Sequence, residues 1–174
     1  MSRTSYTFHY IPEEDRLALV FKKESEQLPT LFLTRRLTKL ICEHLKSMLE
    51  QNINQIEGAQ HHKEELVKFE HRTAIESADI EWNDKPQKVH FHIKNSAVPT
   101  KVTMQRTTTC LDLLFFRHTI FLVKLSQGWQ QAHCFFYALA EMSRKAQWNL
   151  EATLHWAGRE SDMMAAVNAN GYVC

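Results

Sequence analysis

Three basic side chains, Arg35, Arg36 and Lys39, fall at the start of a stretch whose apolar residues recur at helical spacing. Positive charge at a helix N-terminus opposes the helix dipole, which favours acidic groups at that end. Unpaired backbone N–H groups there, beside two guanidinium forks, suit a phosphate or a carboxylate. The spacing therefore predicts an anion- or partner-binding site at Arg35, Arg36 and Lys39. The competing reading has these side chains in solvent, or paired with Glu13, Glu14 or Asp15 of the preceding turn.

A second cluster lies on alternating residues of Lys88-Val89-His90-Phe91-His92-Ile93-Lys94. Period two puts Lys88, His90, His92 and Lys94 on one strand face, with the two imidazoles about 6.6–7 Å apart. Together with Lys101, Arg106 and Lys124 they form a basic surface for phosphates or acidic groups. With His118, or with His61 and His62, the two histidines could also hold a transition metal. No spacing fixes a third ligand, so polar-face histidines are the expectation and no metal site is predicted.

His133 and Cys134 are adjacent, but neighbours on a helix point about 100° apart and cannot act as nucleophile and base together. Cys134 lies among Phe135, Phe136 and Tyr137 and reads as core. No GxSxG, HExxH, P-loop or GxGxxG motif occurs. The four glycines, at 58, 128, 158 and 171, are too scattered for a phosphate loop. No catalytic residue and no cofactor are expected.

Charge is segregated along the chain. The total is +1, from 21 basic and 20 acidic side chains. Between 57 and 81, Lys63, Lys68 and Arg72 stand against Glu57, Glu64, Glu65, Glu70, Glu76, Asp79 and Glu81, a net of −4. Between 82 and 128, seven basic side chains stand against Asp84 and Asp112, a net of +5. The total excludes a bulk polyanion packer. The segment counts leave two readings: a local anion site on the basic strands, or basic strands balanced by the acidic helix 57–81.

The elements that must position these groups follow from periodicity. Tyr6–Tyr10, Arg16–Lys22 and Leu28–Leu33 read as strands, with a polar turn at 11–15. Thr34 suits an N-cap, and a helix runs from about Arg35 to Ile56, stopped by Gly58. A more polar helix covers about 60–78. Strands follow at Lys88–Lys94, Val98–Arg106, Thr108–Phe116 and Thr119–Leu125, then a turn at Ser126-Gln127-Gly128. A helix from Trp129 to Trp148, a strand at Leu150–Trp156 and a loosely ordered tail from about 158 complete the chain.

Strand runs separated by helices predict an α+β fold, with antiparallel sheets covered by helices mainly on one face and order βββαα-ββββα-β. At 174 residues a single domain that buries about 70% of its unfolded surface is expected. The first ten residues lack an apolar signal core. Leu111–Leu125 is too short and too charged to span a bilayer. The four widely spaced cysteines read as reduced thiols, and a cytoplasmic location is expected. Trp82 lies beside a turn, and Phe135, Phe136 and Tyr137 cover more than one helix face, which a lone chain struggles to bury. Aromatics are enriched at interfaces. The sequence thus predicts a small non-enzymatic protein acting through a protein partner or self-association. A nucleic-acid-associated role through the local basic surface is the second expectation.

Overall fold

The computed structural model describes residues 5–22, 28–53, 62–78 and 95–150. The predicted strand at 88–94, residues 151–156 of the predicted last strand, Trp82 and the tail from 158 lie outside the described residues, as do residues 54–56 of the first predicted helix and the stop at Gly58.

β1 (Ser5–Ile11) and β2 (Arg16–Lys22) pair antiparallel across a 3-10 turn at Pro12–Glu14. The turn closes on Asp15, whose φ of 48° is left-handed, a conformation that Asp tolerates better than most residues. β3 (Thr30–Thr34) pairs antiparallel with β2, and a two-residue strand, β4 (Ser96–Ala97), adds parallel to β3. The register aligns Tyr10 with Leu17 and Leu33, and Phe8 with Leu19 and Leu31. The predicted alternation thus produces one continuous apolar face.

The second sheet is antiparallel: β5 (Lys101–Arg106), β6 (Cys110–Arg117) and β7 (Ile120–Gly128). β7 runs through Ser126, Gln127 and Gly128, where composition predicts a turn. The pairings Asp112–Ser126, Leu111–Gln127 and Cys110–Gly128 explain it: β6 supplies a full ladder, and partnered backbone outweighs the weak turn preference of the three residues.

α1 (Arg35–Ile53) starts as predicted, because the Thr34 Oγ1 accepts the Leu37 N–H at 3.3 Å. Leu37, Ile41, Leu45, Leu49 and Ile53 form its buried ridge, whereas Leu40, within the same apolar pattern, is exposed. α2 (Lys63–Glu76) packs on α1 and α3. α3 (Trp129–Lys145) lies between β1 on one side and α2 on another, which buries Phe135, Phe136 and Tyr137 together. Phe135 meets Tyr6 and Phe8, and Phe136 and Tyr137 meet His71. Those three aromatics are therefore core, and their spread around the helix needs no second protein.

One hydrophobic cluster joins both sheets to α1 and α3. The architecture is α+β, with two antiparallel-dominated sheets and three helices. No described helix is long and apolar enough to cross a membrane.

α3 ends in a Schellman motif. The Gln147 N–H bonds to the Arg144 carbonyl at 2.9 Å, and the Trp148 N–H bonds to the Ser143 carbonyl at 3.0 Å. Gln147 occupies the left-handed position, φ 56°, where glycine is the usual residue. This reversal turns Trp148 back into the core, 1% exposed.

Candidate functional site

Arg35, Arg36 and Lys39 line an open groove of about 450 Å³ with Trp148, Asn149 and Leu150. The predicted cluster therefore exists, but its members differ in role. The Arg35 Nη2 donates to the Trp148 carbonyl at 2.7 Å. The Trp148 Nε1 donates to the Asp15 carboxylate at 2.6 Å, and the Trp148 ring meets Tyr10 edge-on at 6.2 Å. Arg35 is thus a tie between the start of α1 and the end of α3. Lys39 reaches Glu43 at 3.9 Å, a loose exposed pair. Arg36 projects into solvent. Two acids of the preceding turn are engaged elsewhere, Glu14 with Arg16 at 3.1 Å and Asp15 with Trp148 and Tyr10.

The basic strands divide similarly. Lys88, His90, His92 and Lys94 lie outside the described residues. The Arg106 guanidinium stacks over Trp129, 5.5 Å from the ring centre, and donates to the Gln51 carbonyl at 3.4 Å. Lys124 pairs with Asp112 at 2.6 Å. Burial alone would raise the Asp112 pKa, but bonds from Lys124 and Ser126 and the Lys124 charge outweigh it, holding the carboxyl below its ordinary value. Lys101 remains exposed and lies 5.7 Å from the Phe116 ring centre.

Lys101 belongs to a surface that alternation alone does not mark. β6 and β7 meet in a two-residue turn, His118-Thr119, with Arg117 paired to Ile120 and Phe116 to Phe121. His118 takes a left-handed φ of 56°, and its N–H donates to the Thr100 Oγ1 at 2.7 Å. The Thr100 N–H in turn donates to the Phe116 carbonyl at 2.8 Å, so the tip is braced from the residue just before β5. Ile120 is 65% exposed and Phe121 53%. The Phe116 and Phe121 rings stack edge to face at 5.8 Å on one side of the tip. Ile120, one residue out of phase, lies on the other. A readable signal existed in the run Ile120-Phe121-Leu122-Val123: four successive apolar residues in a strand with only one covered face must leave some exposed.

A further pair emerges between α2 and α3. The Nδ1 atoms of the buried His71 and His133 are 3.2 Å apart, and the Glu70 Oε2 lies 3.7 Å from the His133 Nε2. At that contact one ring must donate and the other accept. The pair lies 62 residues apart in sequence, so no local spacing announces it. The Cys134 thiol points to the Ala74 carbonyl at 3.4 Å, and burial raises its pKa. Burial likewise pushes Cys42 up to about 12. Thiols held protonated are poor nucleophiles. Burial and the neighbouring Cys134 also raise the Tyr6 pKa. His118 is on the exposed tip, and no group of three or more metal-ligating side chains occurs among the described residues.

Comparison with protein-family models, with curated proteins and with solved structures finds no match for this chain.

Proposed function

We propose that this chain is a small non-enzymatic protein that works through protein–protein contact, as a homo-oligomer or as a subunit or adaptor of a larger assembly. Its contact surface is the β6–β7 tip. The observation that carries this reading is the exposure of Ile120 and Phe121 on a tip whose backbone is braced by Thr100. Single exposed apolar residues are ordinary, but a cluster on an ordered turn is the kind of anchor that interfaces use. Covering the two side chains contributes roughly 2–4 kcal/mol. That suits a hot spot, with the outer face of the second sheet, Thr103, Gln105 and Leu114, as its surround. A cytoplasmic setting accompanies the proposal, and the free thiols Cys42, Cys110 and Cys134 suit such a reducing compartment.

The test compares the tagged wild type with an Ile120→Ser, Phe121→Ser double variant. Light scattering gives the mass of each, and any complex recovered from cells is rebuilt from purified parts. The proposal expects the wild type to hold a defined protein partner or a second copy, and the variant to lose it with its melting temperature unchanged. A variant that keeps the same partner and mass contradicts the proposal.

A further inference from the structure

Resting on the proposed protein contact at the tip, we infer that its occupant is an acidic, amphipathic protein segment that wraps over the hairpin, with apolar side chains seated on Phe116 and Phe121 on one face and on Ile120 on the other, and carboxylates facing Lys101 on the first face and Arg117 on the second. The argument is charge complementarity around an apolar centre. Lys101 and Arg117 are both exposed, and neither has an acidic partner among the described residues. The one acid of the β5–β7 sheet, Asp112, is covered and neutralised by Lys124. Among the described residues the rim of the tip is therefore cationic, with no carboxylate paired to it.

That pattern selects against the alternatives. A second copy meeting tip to tip would set Lys101 and Arg117 against their equivalents, and like charges placed together oppose association. A single-stranded nucleic acid needs ring faces for successive bases. Here Phe121 is the one well-exposed ring, Phe116 is half-covered with the Lys101 ammonium over it, and the third anchor, Ile120, is aliphatic. Aliphatic and aromatic anchors inside a polar rim are what apolar protein side chains pack against.

The full chain is titrated with two 16-residue synthetic peptides that carry the same alternating Leu and Phe, separated by Glu in one and by Lys in the other, and with a 15-nucleotide oligothymidylate. In low salt the Glu peptide binds at least about tenfold tighter than the Lys peptide, a margin that closes at high salt. Lys101→Glu with Arg117→Glu abolishes the preference, and Phe121→Ser weakens binding of the Glu peptide. Equal binding of the two peptides, displacement of the Glu peptide by oligothymidylate, or no peptide binding at all overturns the inference. If no peptide binds while Ile120→Ser with Phe121→Ser still dissolves a native complex, the acidic segment is wrong and the tip contact stands. If that complex survives the double variant, the tip contact itself is wrong.

Discussion

Arg35 and Arg36 are adjacent, share a charge and line the same groove, yet they should respond unequally to the same substitution. Replacing either by methionine keeps the aliphatic stem and removes the guanidinium. Arg35→Met deletes the 2.7 Å bond to the Trp148 carbonyl. A hydrogen bond from a charged donor contributes about 1.5–3 kcal/mol, and the exposure of the rest of Arg35 lowers this to about 1–2 kcal/mol. For a chain of this size each kcal/mol shifts the melting temperature by about 2–4 °C, so a fall of roughly 2–8 °C is expected. Arg36→Met should change stability by less than about 0.5 kcal/mol, as ordinary surface changes do. Calorimetry and urea unfolding measure both, and equal urea slopes confirm that the unfolded state is not what changed. Trp148→Phe, which loses the bond to Asp15 at 2.6 Å, should not add simply to Arg35→Met, because the two groups share one network. If Arg35→Met proves as stable as Arg36→Met, the tie between α1 and α3 does not operate and Arg35 returns to the surface as an anion-binding candidate.

Gln147→Gly relieves a left-handed residue at the Schellman position and should raise stability by about 0.5–1 kcal/mol, read by urea midpoint; a loss would mean that the Gln147 side chain contributes a contact. Asp112→Asn should cost about 1 kcal/mol at pH 6. Because the folded carboxyl has a lowered pKa, the wild-type advantage is present above the unfolded pKa and disappears as pH falls below about 4; a gap constant from pH 6 to pH 3 refutes the ion pair as its source. Alkylation followed by mass mapping should find Cys42, 0% exposed, modified only as fast as the folded chain opens and far more slowly than in urea; labelling as fast as in urea would place Cys42 at the surface.

Legibility followed the range of the interaction. β1, β2, β3 and α1 were readable because period two and period 3.6 describe local chain geometry, and Thr34 marks its helix start by type alone. The end of β7 is not legible locally because Ser126-Gln127-Gly128 takes its conformation from β6 residues 14–18 positions away. The parallel pairing of β4 with β3 joins Ser96 to Thr30 and has no local signature. The Arg35–Trp148 bond spans 113 residues. It gives Arg35 a structural bond that composition and spacing could not reveal. Helical spread points to Phe135, Phe136 and Tyr137 as the aromatics hard to bury, yet the exposed ones are Phe69 and Phe121, since burial depends on which elements flank a strand or helix.

A photoreactive phenylalanine analogue at position 121, illuminated in the cells that make the protein, reports directly on what touches the tip. The proposed contact predicts a discrete adduct to one protein, resistant to nuclease and absent when the same analogue replaces Phe69, which is 66% exposed on α2. No adduct at 121, or an adduct that nuclease removes, would contradict it.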